Sequence, residues 1–250
     1  MRETPKIRLF VDADLAADTH VAPTDGQRHY LAQVMRLRTD DHVALFNGRD
    51  GEWRTRVLSL DKRGPALVVE DSLRQQVAEP DLWLAFAPIK RAPVDFLAQK
   101  ATELGVARLV PVMTQHTDVR RLNTRRLQAN AVEAAEQCGR LTVPTVAEPL
   151  PLDDLINDWP PTRRLFVLDE TGGGAPIAEA LFLADTKTAG FLVGPEGGFA
   201  RSELDALRDL PFVTVVDLGK RILRADTAAI AALSCWQALV GDWHHAHDAT

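Results

Sequence analysis

Apolar and polar positions along the 250-residue chain change rhythm once. Up to residue 73 the apolar runs are short and mostly alternate: Ile7-Arg8-Leu9-Phe10-Val11, Asp41-His42-Val43-Ala44-Leu45-Phe46, Glu52–Leu60 and Ala66–Glu70. A period of two is the pattern of half-buried strands. Asn47-Gly48-Arg49-Asp50-Gly51, between the second and third runs, predicts a hairpin. One helical spacing interrupts them, Tyr30, Leu31, Val34 and Leu37 in the segment Asp25–Leu37, with Asp25 as a candidate cap. Residues 1–73 are therefore predicted to form a small β-barrel with one helix.

Past the polar join Asp71–Pro80, strand-like and helix-like segments alternate. Strands are predicted at Leu82–Ala87, Arg108–Met113, Leu165–Leu168, Phe191–Val193 and Phe212–Val216. Helices are predicted at Pro93–Leu104 (stopped by Gly105), Thr124–Cys138 (ended by Gly139), Ile177–Leu183 and Thr227–Val240. This alternation predicts an α/β domain over residues 74–250, with a mostly parallel sheet covered on both faces. In such sheets ligands sit beyond the C-terminal ends of the strands. Three of those ends carry unusual residues: Leu168-Asp169-Glu170, Gly194-Pro195-Glu196-Gly197-Gly198 and Leu218–Arg224.

Composition narrows the class. No apolar run approaches the roughly 20 residues of a membrane span. The N-terminal MRETPKIRLFVDADL carries acids and Pro where a signal peptide needs an apolar stretch, so a cytoplasmic protein is expected. Cys138 and Cys235 form no CxxC, and His244, His245 and His247 lie in a polar tail, so neither a metal site nor a disulfide framework is expected. The net charge is −6, yet cations concentrate in two segments. Arg28–Arg63 holds eight basic residues against five acidic, and Lys90–Arg126 eight against three, enough to grip a phosphate backbone locally.

Neither GxGxxG nor GxxxxGK[ST] occurs, so dinucleotides and nucleoside triphosphates lack their usual cradles, and no GxSxG elbow marks a serine hydrolase. The 194–198 loop has no cation of its own. Its stiff, side-chain-poor backbone suits a ligand held by N–H and C=O groups, such as an adenine, a ribose or an amino-acid moiety. A tight strand–helix turn is the plainer alternative for that loop taken alone.

Two such loops, each after a buried strand and both before the final helix, form a more specific pattern. Leu192-Val193-Gly194-Pro195-Glu196-Gly197-Gly198-Phe199 and Leu218-Gly219-Lys220-Arg221-Ile222-Leu223-Arg224-Ala225-Asp226-Thr227-Ala228 resemble motifs of the SPOUT class of S-adenosylmethionine-dependent RNA methyltransferases. So do Gln99-Lys100-Ala101-Thr102-Glu103-Leu104-Gly105-Val106 with Pro111, and Glu136-Gln137-Cys138-Gly139-Arg140 with Pro144. His29-Tyr30-Leu31, Val34-Met35-Arg36-Leu37 and Phe46-Asn47-Gly48 look like a PUA-like domain. The match is to the RsmE family, which methylates N3 of a uridine in 16S ribosomal RNA. It implies a deep trefoil knot in the C-terminal domain, a homodimer, S-adenosylmethionine as cofactor and the small ribosomal subunit or its RNA as partner, with no metal and no membrane. Two positions depart from the pattern. Asp226 stands where Glu is common, and Ala200 where Ser or Thr follows the GGF, so a helix cap there is lost or moved to Ser202 with Asp205.

The resemblance implies cofactor contacts at Leu168, Gly194, Pro195, Glu196, Gly197, Leu218, Gly219, Ile222 and Leu223, the apolar members sandwiching adenine. Arg224, Asp226 and Glu196 are the catalytic candidates. Arg224 would hold a phosphate or a uracil carbonyl, or else pair with Asp226 or Glu196 to brace the loop. Glu196 would orient loop N–H groups or act as a base, and Asp226 would act as a base or cap the last helix. Glu133, Glu136, Gln137 and Arg140 share one helix face, directed at the active site, at a dimer partner or at solvent. Arg28, Arg36, Arg38, Arg91, Arg120, Arg121 and Arg140 are candidates for RNA contact. The rival readings are a SPOUT enzyme acting on a ribose 2′-OH and a non-catalytic RNA-binding assembly factor.

Overall fold

The computed structural model describes residues 5–61, 64, 66–119, 121–184 and 188–244. Mutual contacts divide the chain into Met1–Ala78 with Ala135–Val143, and Glu79–Ala134 with Pro144–Thr250.

In the first unit, β1 (Arg8–Phe10), β2 (His20–Val21), β3 (His42–Phe46), β4 (Glu52–Val57) and β5 (Leu67–Arg74) form one sheet in the order β1-β3-β4-β5-β2. Among the described residues β1 pairs with β3 in parallel and the other pairs are antiparallel. The sheet closes over Leu31, Val43, Leu45, Val57, Leu67 and Val69. The Asn47–Gly51 hairpin is present, with Asn47 Oδ1 accepting the N–H groups of Arg49 and Asp50. The expected helix is shorter than its apolar spacing. α1 spans Asp25–His29, and its cap is Thr24 rather than Asp25. Thr24 Oγ1 accepts the Gln27 N–H (3.2 Å) while Gln27 Oε1 accepts the Thr24 N–H (3.0 Å), a reciprocal capping box. A π-helical turn, Tyr30–Val34, follows, and Arg36 at φ 55° reverses the chain so that the Leu37 N–H reaches the Leu31 carbonyl (2.9 Å).

A single cut at 73/74 does not describe the division. β5 runs to Arg74, and 135–143 belongs with the first unit for a reason far away in sequence. The Arg8 guanidinium donates to the carbonyls of Ala135 (2.8 Å), Glu136 (2.9 Å) and Arg140 (2.7 Å), capping the end of that helix, and Phe46 packs on Ala135 and Leu141. Glu136 accepts the Phe10 N–H (2.9 Å), so that face of the helix is tied to β1.

The second unit holds β6 (Asp81–Phe86), α2 (Arg91–Glu103), β7 (Val106–Met113), most of α3 (Thr124–Cys138), β8 (Thr145–Val146), β9 (Leu150–Pro151) and α4 (Leu152–Asp158). After these come β10 (Arg164–Leu168), β11 (Ala175–Pro176), α5 (Ile177–Ala184), β12 (Thr188–Val193), α6 (Arg201–Arg208), β13 (Val213–Asp217) and α7 (Ala225–Leu239). Every strand pair is parallel, in the order β11-β13-β10-β12-β6-β7-β8, with β9 also on β7. Phe166 and Leu168 of β10 enter one core with residues of α2, α5 and α7, while Leu165 and Val167 enter the other with α4 and α6. Burial on both faces is why these strands read as continuous apolar runs. The cap position of α6 is Ala200, not Ser202: Ala200 offers no side-chain acceptor, and the Glu203 carboxylate accepts the Ala200 N–H (2.8 Å). Among the described residues no helix is long and apolar enough to cross a membrane.

Candidate functional site

β13, β10 and β12 are neighbours and run the same way, so the loops leaving their C-terminal ends converge. They enclose a cavity of about 440 Å³, within the usual range for a small-molecule site. One wall is Leu168–Gly172, the second is Val193–Glu196, and the third runs from Val216 through Arg224 to Ala225 and Ala228 of α7. The glycine loop is folded tightly. A Cβ on Gly194 would stand 2.9 Å from the Phe199 ring, and Gly198, at φ +68°, closes a turn through its N–H to the Pro195 carbonyl (2.9 Å). The lining is mainly apolar, with carboxylates at Asp169, Glu170, Glu196 and Asp217. Asp169 is buried and engaged, accepting from Thr171 N–H and Oγ1 (both 2.9 Å) and from Arg208 Nη2 (2.8 Å). Asp217 Oδ1 accepts the Gly219 N–H (2.9 Å).

Of the predicted cofactor residues, Leu168, Gly194, Pro195, Glu196, Leu218, Gly219, Ile222 and Leu223 line this cavity. Gly197 does not. It turns toward His116, whose Cβ would lie 3.4 Å from a Cβ placed there. Ile222 is 83% exposed at the mouth of the cavity. Arg224 and Glu196 line the cavity and Asp226 does not. Arg224 is exposed at the N-cap of α7 and forms no ion pair with Asp226 or Glu196 among the described residues, so the bracing alternative is not realised. Glu196 is exposed rather than buried and accepts no loop N–H among the described residues. Asp226 lies in the first turn of α7, two residues inside the cap Arg224, with Oδ1 accepting the Thr227 N–H (2.8 Å). Asp169, Glu170, Lys220 and Arg221, absent from the expected cofactor contacts, also line the cavity; the signal for the first two is their place directly after a buried strand.

The RNA candidates separate. Arg36 and Arg38 are exposed and their guanidinium groups have no partner among the described residues; Arg121 is exposed beside a second, smaller cavity. Arg28 is half-buried and donates to the Gly64 carbonyl (2.8 Å), and Arg140 donates to Thr142 Oγ1 (3.0 Å), so both have structural work. Arg91 opens α2, but its side chain, and Arg120 altogether, lie outside the described residues.

An RNA methyltransferase domain model matches residues 77–237, and an RNA methyltransferase PUA domain model matches 23–70. The ribosomal RNA small subunit methyltransferase E of Rickettsia conorii is 30% identical over 233 residues, covering 91% of this chain and 93% of the relative. The chain belongs to the small-subunit ribosomal RNA methyltransferase E family. A Synechocystis member is 31% identical, with 93% of this chain and 78% of that protein covered. Two solved structures are similar over nearly the full length. A Legionella pneumophila methyltransferase in complex with S-adenosylmethionine has a TM-score of 0.84 at 25% identity, covering 96% of this chain and all of that one. The methyltransferase E of Neisseria gonorrhoeae, bound to S-adenosylmethionine, has a TM-score of 0.83 at 27% identity, with 95% and 99% covered.

Proposed function

We propose that this chain methylates N3 of a uridine in 16S ribosomal RNA with S-adenosylmethionine as donor. The observation that carries the reading is the cavity at the ends of β10, β12 and β13, in a chain of this family whose structural neighbours hold that cofactor. The residues fit it. Leu168, Leu218 and Leu223 offer apolar walls for adenine, the Gly194–Glu196 backbone can approach closely, and Glu170 suits hydroxyl or ammonium groups. When bound, the cofactor supplies an electrophilic methyl group.

The chain must then position an imide nitrogen and ease its deprotonation. The uracil anion spreads its charge onto O2 and O4, and Arg224, exposed at the cavity rim and unpaired among the described residues, is the cation we assign to one of those oxygens. Glu196, also on the rim, is the group we assign to the N3 proton, and Asp226 we assign to the start of α7. Arg36, Arg38 and Arg121 supply phosphate contacts in this reading. We also infer from the family a trefoil knot passing through the 194–198 and 218–224 loops, a homodimer, and a cytoplasmic setting with the small ribosomal subunit.

Transfer of labelled methyl to bare 16S RNA and to small subunits, followed by nucleoside mass analysis, tests the reading. 3-Methyluridine is expected. A 2′-O-methyl nucleoside would point to the other SPOUT chemistry. No transfer together with no calorimetric cofactor binding would favour an assembly factor.

A further inference from the structure

We propose that His116 is a positioning residue for the cofactor cavity, holding the glycine loop from the side that no ligand touches. The inference rests on the reading of that cavity as the S-adenosylmethionine site.

β7 is two places from β12 in the sheet, about 10 Å at the usual strand spacing. The chain leaving β7 bridges that gap with the turn Thr114–Thr117. Its shape is fixed by Thr117 Oγ1 accepting the Thr114 N–H (3.0 Å) and by the Thr117 N–H on the Thr114 carbonyl (3.1 Å). The turn then docks on the segment after β12 at three points. The Gln115 N–H donates to Glu203 Oε1 (2.8 Å), whose other oxygen holds the Ala200 N–H. Gln115 Nε2 donates to Ser202 Oγ (3.3 Å). His116 Nδ1 lies 3.2 Å from the Gly197 carbonyl and 3.1 Å from that of Gly198.

Both partners of that nitrogen are carbonyl oxygens, which only accept. Nδ1 therefore carries the proton, and one N–H is shared between two acceptors. The loop is also held by the turn from Pro195 to Gly198, by the close approach of Gly194 to the Phe199 ring and by that of Gly198 to the Glu170 carboxylate. Gly194, Pro195 and Glu196 line the cavity immediately before the two tethered peptides, so a shift of Gly197 and Gly198 moves the wall. His116 is itself exposed and absent from the lining. Its removal leaves the cores intact and loosens only the loop.

The test uses the full chain with three variants: His116→Ala, His116→Asn, whose amide nitrogen stands near the Nδ1 position, and His116→Gln, whose amide nitrogen stands nearer Nε2. Calorimetry with S-adenosylmethionine and steady-state kinetics on small subunits are read together with Tm. For His116→Ala we expect Kd and KM for the cofactor to rise roughly three- to tenfold, the scale of one shared neutral hydrogen bond. KM for RNA and Tm should hardly move. Asn should restore cofactor affinity to within about twofold, and Gln should not. Nitrogen-15 NMR of wild type without ligand should find neutral His116 as the Nδ1–H tautomer. Wild-type affinity in His116→Ala, a fall in Tm that Asn does not rescue, or an Nε2–H tautomer would each overturn the assignment. Failure of the wild-type protein to bind the cofactor would instead overturn the reading of the cavity, and this inference with it.

Discussion

Glu52 is where the first unit can be broken with one substitution. Its carboxylate is buried at the start of β4, with Arg8 Nε on one oxygen and Arg74 Nε on the other, the latter at 2.7 Å. Arg8 is mostly buried and also holds three carbonyls from the 135–143 segment, whereas the Arg74 side chain is 45% exposed and its contribution is screened. Stranding one member of a buried ion pair costs about 3–5 kcal/mol. Arg8 keeps its carbonyl partners, so Glu52→Gln should cost about 2–3 kcal/mol, or roughly 10–20 °C in the Tm of a domain of this size.

The pH dependence has a definite sign. Desolvation pushes the Glu52 carboxyl up, but the hydrogen bonds and charges of Arg74 and Arg8 outweigh it, and the net pKa lies below its ordinary value. A carboxyl depressed in the folded state stabilises fully above its unfolded pKa, and that stability is lost as pH falls through the folded pKa. The gap between wild type and Glu52→Gln should therefore be full at neutral pH and close on acidification below about pH 4. Urea titrations across pH measure the gap. Hydrogen exchange of peptides in β3 and β4, with β6 and β7 as internal reference, assigns it to the first unit. Equal protection of β3 and β4 in the two proteins, or a gap that widens in acid, would refute the account.

Two further outcomes follow from other parts of the fold. A Cβ on Gly174 would lie 2.5 Å from the Val216 carbonyl carbon, 2.7 Å from its Cα and 2.9 Å from the Asp217 nitrogen, all backbone that cannot rotate away. Because Val216 and Asp217 line the cavity, Gly174→Ala should lower Tm and weaken S-adenosylmethionine binding about tenfold, and unchanged affinity by calorimetry would refute the link. Cys138 is exposed, whereas Cys235 is half-buried and burial pushes its thiol pKa up, so iodoacetamide should label Cys138 first in a mass-spectrometric time course; equal rates would contradict the burial.

Periodicity carried those elements long enough to show a period. β10 and β12 were readable because both of their faces are buried, which turns each strand into an apolar run, and α3 because Gly139 at φ +87° stops it where the sequence placed the stop. β8 and β9, at two residues each, are too short to alternate, and α4 has only seven residues, so the stretch between Gly139 and Arg164 held no legible element. The cavity was legible because a parallel sheet gathers its loops at one end, and the loops concerned were rich in residues that no ordinary connection needs.

Side-chain roles were least legible where the partner is backbone from a distant element. Arg8 holds carbonyls about 130 residues away, and His116 holds carbonyls 81 and 82 residues away. Such bonds leave no mark in any local window, since a carbonyl is present at every position and only the fold decides which one is near. The same reasoning accounts for Ala200. By local rules its helix lacked a cap, yet Glu203, three residues on, supplies the acceptor for its N–H and at the same time ties down Gln115 from beyond β7. One carboxylate thus sets both the start of α6 and the turn that presents His116. Glu203 keeps the half of a capping box in which the third helical residue reaches back to the N–H of the cap; the other half, a hydroxyl accepting the N–H of Glu203, is what Ala200 gives up.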